Sequence, residues 1–346
     1  MEDKMIQKTE KKSISTGFKI KFGVIVAILI AAALLPFYGS QYVVNVCMLI
    51  FLYMSLGQMW NLLGGYSGLV SLGQQLFVGL GGYTLAIVTQ TYGQSIVVGA
   101  VISLVLSVVI AYVISFPIFK MKGVYFTIGT WIIAETVLVF CRNWKFVKYD
   151  IGFDIKIAYK ISMTHLYWAA MIVGVCSIIL VYVLLKTKLG LALMSMRDNE
   201  SSAEVRGVKL YNTKLIIFLI SSAYTTLTGV VLYLNLAYVK PVAAFGIDWT
   251  VCMVFIVIIG GIGTIEGPII GAIIYVILRQ YLYNFPGVSM IILGAFAVII
   301  ILVAPKGIMG ILRNKFNAEL FSVRRDPDAG RYEKGIVNIE NNTVGK

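Results

Sequence analysis

Ser67, Ser71, Gln74 and Gln75 fall close together in NLLGGYSGLVSLGQQLFVGLGGYT, Asn61 to Thr84, a stretch with seven glycines and no acidic or basic side chain. Hydroxyls and amides donate and accept hydrogen bonds without carrying charge, so this set suits passing contacts with a small polar solute. Little else in the chain is equipped to make or break bonds. An intramembrane enzyme needs a nucleophile beside a base, or a metal cluster, and neither spacing is present. Cys47, Cys141, Cys176 and Cys252 stand singly in apolar runs without a CxxC pair and read as packing residues. The single histidine, His165, lies at the edge of an apolar run with no neighbouring ligands, which favours a structural or solvated role over metal binding. No GxxxxGK[ST] loop occurs, and GGIGTIEG carries Glu266 where GxGxxG needs its last glycine, so no nucleotide site is expected. Any ATP must be handled by another subunit.

These residues sit in a chain of membrane composition. Of 346 residues, 59% are hydrophobic and 13% charged, against about 25% charged in a soluble domain. No Asp, Glu, Lys, Arg or His occurs between Phe22 and Phe119, a run several times the roughly 20 residues that one crossing needs. The expected fold is an all-α polytopic membrane protein of about ten spans, some broken or re-entrant. Hydropathy and breakers place them near 22–38, 42–63, 76–92, 95–119, 123–141, 166–185, 215–236, 249–262, 267–284 and 288–304. The lysine-rich start followed by FGVIVAILIAAALL resembles a secretory signal, but more spans follow and no small-x-small site closes the run before Pro36; an uncleaved first helix is the expectation.

Charge orients the bundle. With both termini cytoplasmic, 22 of the 29 Lys and Arg fall on the cytoplasmic side: six before Phe22, Lys120 and Lys122, six from Lys186 to Lys214, and eight from Lys306 onward. That asymmetry is the positive-inside bias. Residues 142–165 argue against it, because they hold Arg142, Lys145, Lys148, Lys156 and Lys160 and yet must be external. The formal charge of +13 is thus mainly orientation and contact with anionic lipid, not nucleic-acid binding. The organisation reads as a basic cytoplasmic N-terminus over 1–21, a transmembrane region over 22–305 with a cytoplasmic loop at 188–212, and a cytoplasmic tail over 306–346 whose end, NIENNTVGK, reads as disordered.

The glycines admit two readings. Gly64 with Gly68, Ser67 with Ser71, and Gly263, Gly267 and Gly271 follow small-xxx-small spacing, which lets helix backbones approach where apolar burial gives little drive. Alternatively Gly64 to Gly73 is partly unwound, since transporters place helix breaks beside substrate and lipid tolerates them only where protein or water satisfies the backbone. IIGGIGTIEGPIIGA is a candidate counterpart in the second half. Among the acidic residues, Glu135 lies mid-span, where a charge costs about 2.5–3.5 kcal/mol on insertion scales. It must face the bundle interior or water, either as a structural hydrogen-bonding group, with Thr130 a candidate partner, or as part of a pathway. Asp248 and Glu266 stand at span ends, where solvation suffices.

NLLGGYSGLVSLGQQLFVGLGGYT, KGVYFTIGTWIIAET, MRDNESSAEVRGVKLYNTKL, GGIGTIEGPIIGA and APKGIMGIL, in that order from about residue 45 to 313, resemble the permease subunits of ABC importers for branched-chain amino acids. The resemblance implies a permease of the bacterial cytoplasmic (inner) membrane. It also implies a second related permease, two cytoplasmic ATPase subunits that bind ATP and magnesium, and an external substrate-binding protein. It implies no cofactor in this chain. Gln74 stands where relatives usually carry a histidine, Leu69 replaces a common glutamine, and the GG-x-x-G stretch before the sixth span is reduced to Gly152. Substrate-pathway candidates are Ser67, Ser71, Gln74, Gln75, Thr130 and Glu135. In the 188–212 loop the family pattern R-x-N-E-x-A-A-x-x-x-G is kept at Arg197, Asn199, Glu200, Ala203 and Gly207, with Ser202 and Arg206 as departures; these five are the candidates for coupling to an ATPase.

Local signals in that loop describe a short helix: Asp198 or Asn199 can cap its start, Ser201 with Glu204 fits a capping box for a later start, and Gly207 can end it in a left-handed turn. So short a helix is marginal in water and needs a surface to hold it. A self-sufficient secondary transporter or channel for a small polar solute is the competing reading, and urea-like or sugar-like solutes compete with branched-chain amino acids as cargo.

Overall fold

The computed structural model describes residue 23 and residues 27–147, 149–282, 285–304 and 307–316. The basic N-terminal segment and the end of the tail lie outside the described residues. Fourteen helices follow one another among the described residues: α1 (Ala27–Tyr38), α2 (Gln41–Asn61), α3 (Gln75–Gln90), α4 (Ile96–Ile118), α5 (Val124–Asn143), α6 (Met163–Lys186), α7 (Lys188–Asp198), α8 (Glu200–Val205), α9 (Leu210–Leu236), α10 (Pro241–Phe245), α11 (Asp248–Gly260), α12 (Gly267–Tyr281), α13 (Pro286–Val303) and α14 (Gly307–Phe316). Among the described residues, six stretches are long and apolar enough to cross a membrane: Gln41–Tyr66, Ile96–Ile118, Val124–Asn143, Met163–Lys186, Leu210–Leu236 and Pro241–Gly260. Ala27–Tyr38, Gly267–Tyr281 and Ile291–Ile300 are shorter apolar helices. The protein is an all-α polytopic membrane protein.

Helix starts follow their sequence signals. Ser40, Ser95 and Ser162 cap α2, α4 and α6 with their hydroxyls, accepting from Val43, Val98 and Thr164 backbone N–H groups. Pro241, Pro268 and Pro286 occupy first-turn positions, where the missing N–H costs nothing.

The centre of the bundle is α3 packed on α9. Every residue from Gln75 to Ala86 is buried, and glycines make the contact possible. A Cβ on Gly81 would lie 2.9 Å from Val230 N and also collide with Thr226 O; one on Gly229 would lie 2.5 Å from Val78 O. Close backbone approach supplies packing that lipid cannot supply by exclusion. The outside is apolar too: α4 exposes Val97, Val105, Val109 and Val113, and α5 exposes Val124, Tyr125, Ile132 and Phe140.

Connections gather on two faces. On one, the α2–α3 connection meets the α11–α12 connection through Asn61 and Gly263, meets α7 through Gly65 and Arg197, and meets the start of α5 through Val70 and Thr127. On the other, a two-residue strand β1 (Phe153–Asp154) pairs antiparallel with β2 (Tyr238–Val239), and Ile155 N donates to Ala237 O at 2.7 Å. Phe153 to Ile155, between α5 and α6, therefore lie against the segment that follows α9.

Candidate functional site

Both glycine-rich motifs are breaks, and they are joined. The α2 helix widens at Leu62–Tyr66 into a single π-helical turn, the kind of bulge that recurs at functional positions. Past Ser67 the helix stops. Gly68 takes φ +75°, a left-handed conformation, and residues 68–74 lie outside any helix until α3 begins. In the second half α11 ends at Gly260, Gly261 and Gly263 adopt φ +129° and +72°, and α12 starts at Gly267.

The side chains that hold the breaks together come mostly from α2. Asn61 accepts from Gly263 N at 2.9 Å and donates from Nδ2 to Thr264 O at 2.8 Å. One turn earlier Gln58 donates from Nε2 to Ile265 O at 2.6 Å. Two amides thus satisfy backbone groups that no helix serves and no lipid could serve. Glycine is required at the contact, because a Cβ on Gly65 would lie 2.7 Å from Gly263 N and overlap Asn61 Oδ1. The unwound 68–74 strand has its own clamps. Trp60 Nε1 donates to Ser71 O at 2.8 Å, Thr127 Oγ1 to Val70 O at 2.8 Å, and Leu72 N to Thr130 Oγ1 at 3.1 Å.

Of the residues expected at the pathway, Ser67, Ser71, Gln74, Gln75 and Thr130 lie in or against the α2–α3 break, and Glu135 lies farther along α5. Ser67 is buried and returns its hydroxyl to Leu63 O at 2.7 Å; Ser71 accepts from Gly73 N at 3.3 Å. Gln74 Oε1 accepts from Thr225 of α9 at 3.3 Å, whereas Gln75 is bound to Thr250 of α11 through both its backbone N–H and its side chain. The amide nitrogens of Gln74 and Gln75 are buried with no partner among the described residues. Thr130 spends its own proton on Thr127 O, not on Glu135. Glu135 is half-buried on α5 and has no hydrogen bond or ion pair among the described residues. The space between Ser71, Gly73, Thr130 and Phe218 is about 10 Å³, room for at most one water.

The glycines divide by role. A Cβ on Gly73 would lie 2.9 Å from Thr130 C and overlap its carbonyl oxygen, so α5 backs directly onto the break. A Cβ on Gly64 would lie 2.8 Å from the Trp60 ring. Gly263 lies in the turn, whereas Gly267 and Gly271 seat α12 on α11: a Cβ on Gly271 would overlap Ile256 O, and one on Gly267 would overlap Gly261 O.

The 188–212 loop folds as α7, a sharp corner and α8. Asn199 supplies the cap, its Oδ1 accepting from Ser202 N at 3.0 Å and from Ser201 Oγ at 2.8 Å. Gly207 ends the helix at φ +84°, with Gly207 N on Glu204 O and Val208 N on Ala203 O. The surface that holds this short helix includes the chain's own: Ala203 is fully buried, and Glu200 accepts from the buried Lys214 ammonium of α9 at 2.6 Å. Arg197 pairs with Asp198 at 3.4 Å and also turns toward the breaks, donating from Nη1 to Gly65 O at 3.2 Å. Val205, 89% exposed, is flanked by exposed Ser201, Glu204 and Arg206.

Gln58, Trp60, Asn61, Thr127, Thr225, Thr250 and Lys214 carry much of this architecture without having been singled out from sequence. Gln58 and Asn61 had a usable signal, two amides at i and i+3 in an otherwise apolar span. For the threonines nothing in one sequence separates glue from surface.

Residues 42–304 match the family described as branched-chain amino acid transport system / permease component. The chain belongs to that family. The matched range contains both breaks, the clamps between them and the α7–α8 corner. Among curated relatives, the chain is 26% identical over 319 residues to the high-affinity branched-chain amino acid transport system permease protein LivM of Escherichia coli (strain K12), covering 84% of this chain and 75% of the relative. The LivM protein of Salmonella typhimurium is 25% identical over the same length and coverage. No solved structure is significantly similar.

Proposed function

We propose that this chain is the membrane permease subunit of an ATP-driven importer that passes branched-chain amino acids inward from an external binding protein. The single observation that carries the reading is the family match across residues 42–304, supported by relatives whose names state that transport system. The bundle crosses the bacterial inner membrane about ten times, the count that hydropathy favours. Positive-inside bias places the face with the breaks and the α7–α8 corner in the cytoplasm, with both termini. The tail beyond residue 306 belongs on that side as well. The chain does not hydrolyse ATP; two partner ATPases bind ATP and magnesium, and a second related permease completes the membrane unit.

In this reading Arg197, Asn199, Glu200, Ala203 and Gly207 build the coupling corner. Asn199 and Gly207 set its ends, Glu200 and Ala203 fix it to α9 and the body of the permease, and the exposed face around Val205 meets the ATPase. Ser67, Ser71, Gln74, Gln75, Thr130 and Glu135 form the polar side of the pathway, opened when the breaks separate. The unpartnered Gln74 and Gln75 amides favour that role, because a buried donor left without a partner costs about 1–3 kcal/mol. The test is uptake of leucine, isoleucine and valine by liposomes containing the complex purified from its native membrane with its binding protein. Vanadate-sensitive, ATP-dependent uptake is expected; uptake by the lone chain under an ion gradient sinks the importer reading, and a sugar or urea ligand on the binding protein sinks the cargo.

A further inference from the structure

We infer that Arg197 is a latch that ties the α7–α8 corner to the joined helix breaks and holds them closed. The inference rests on the importer reading for its purpose, but its geometry stands by itself. Arg197 is in the last turn of α7, two residues before Asn199, the corner from which α8 starts, so it stands where movement of α8 would be felt first. Its guanidinium reaches Gly65 O at 3.2 Å, a carbonyl inside the π turn. Widened and terminating helical turns leave carbonyls short of intrahelical donors, and a cation near a helix C-terminus gains from the backbone dipole.

The contact is not a single bond on a surface. The Arg197 backbone packs on the left-handed turn, with its Cα 3.5 Å from where a Gly68 Cβ would stand, and its Nη1 is 3.2 Å from where a Gly263 Cβ would stand. Arg197 therefore bonds to one side of the joint that Asn61 bridges and lies close to the other. Glycine at 263 leaves room for the guanidinium, whereas at 68 a Cβ would only reach ordinary contact with Arg197. Asp198 Oδ1 lies 3.4 Å from Nε and from Nη2, so the guanidinium keeps a partner when Gly65 O is released. The latch has two positions within reach of the same side chain: forked between Asp198 and Gly65, or resting on Asp198 alone. Movement of α8 shifts the balance between them, and the breaks follow.

The test reads the joint directly. Ile262 is exposed in the α11–α12 turn beside Gly263. Ile262→Cys, in a chain with its four native cysteines changed to alanine, is labelled with a membrane-impermeant maleimide in inside-out vesicles carrying the whole complex without ATP. Arg197→Gln is expected to raise the labelling rate about fivefold, the population shift that one net hydrogen bond controls, and to raise ATP hydrolysis in the absence of substrate. Arg197→Lys, which keeps the charge but not the fork, is expected to fall between parent and Gln, and serves if Gln disturbs assembly. Labelling equal to the parent in both variants, with uptake lost, overturns the latch and leaves the importer reading standing. Conversely, a parent complex that shows no ATP-dependent uptake removes the importer reading, while the labelling series still reports whether Arg197 holds the joint.

Discussion

Asn61→Ala is the sharpest probe of the joined breaks. The substitution removes two hydrogen bonds, from Gly263 N at 2.9 Å and to Thr264 O at 2.8 Å, and leaves two part-buried backbone groups without that partner. In a soluble core each orphan costs about 1–3 kcal/mol. In a membrane protein the unfolded reference state also finds partners, and single polar pairs between helices average about 0.6 kcal/mol with a maximum near 1.7. Two bonds made by one side chain, with Gln58 still holding Ile265 O, give an expected loss of about 1–3 kcal/mol. Gly65→Ala provides the independent arm. It removes no hydrogen-bonding group but puts a methyl group where Asn61 Oδ1 lies and 2.7 Å from Gly263 N, so it should destabilise comparably by displacing the same amide. Reversible unfolding of the purified permease in mixed micelles at increasing SDS measures both, and a double variant measures whether they act through one joint. The singles should not add, because the second change acts on a contact already broken. Destabilisation below about 0.5 kcal/mol for Asn61→Ala, or strict additivity in the double variant, would refute a joint centred on this side chain.

Gly73→Leu and Gly271→Leu should insert into the membrane yet lose uptake, because each places a side chain against backbone of a neighbouring helix; Gly68→Leu should lose uptake through its φ of +75° and its contact with Arg197. Normal uptake by all three removes the close-approach argument. Glu200→Gln should destabilise more than Lys214→Met, since the first leaves a buried ammonium without its counter-charge while the second leaves a carboxylate whose side chain is 37% exposed; with that exposure the difference is about 1–2 kcal/mol in SDS unfolding, and the reverse order overturns it. Val205→Asp should leave folding intact and cut substrate-stimulated ATP hydrolysis and uptake together, whereas Ala203→Trp should do the same and also loosen α8 from the body; Gly207→Val should follow by straining the turn at φ +84°. If these variants hydrolyse ATP and transport like the parent in liposomes, the corner is not the coupling element.

The sequence by itself determined what hydropathy, charge and local backbone preference can encode. A long uncharged run made the chain a membrane bundle, Gly64 to Gly73 offered either a break or close packing, and Asp198, Asn199 or Ser201 offered starts for a short helix that Gly207 ends. Each is a property of a few consecutive residues. Tertiary structure alone decided that the two breaks, some 200 residues apart, are one joint, with Asn61 reaching Gly263. It also decided that Ala203 and Glu200 are spent on the chain's own body, and that Arg197 turns inward to Gly65. The physical reason is the solvent. In water a helix advertises its buried face by the contrast between apolar and polar residues, but in lipid the outer face is as apolar as the inner one and the contrast disappears. What distinguishes protein contact from lipid contact is then the pairing of a few glycines, amides and hydroxyls across the bundle, and pairing becomes legible only once the helices are in place.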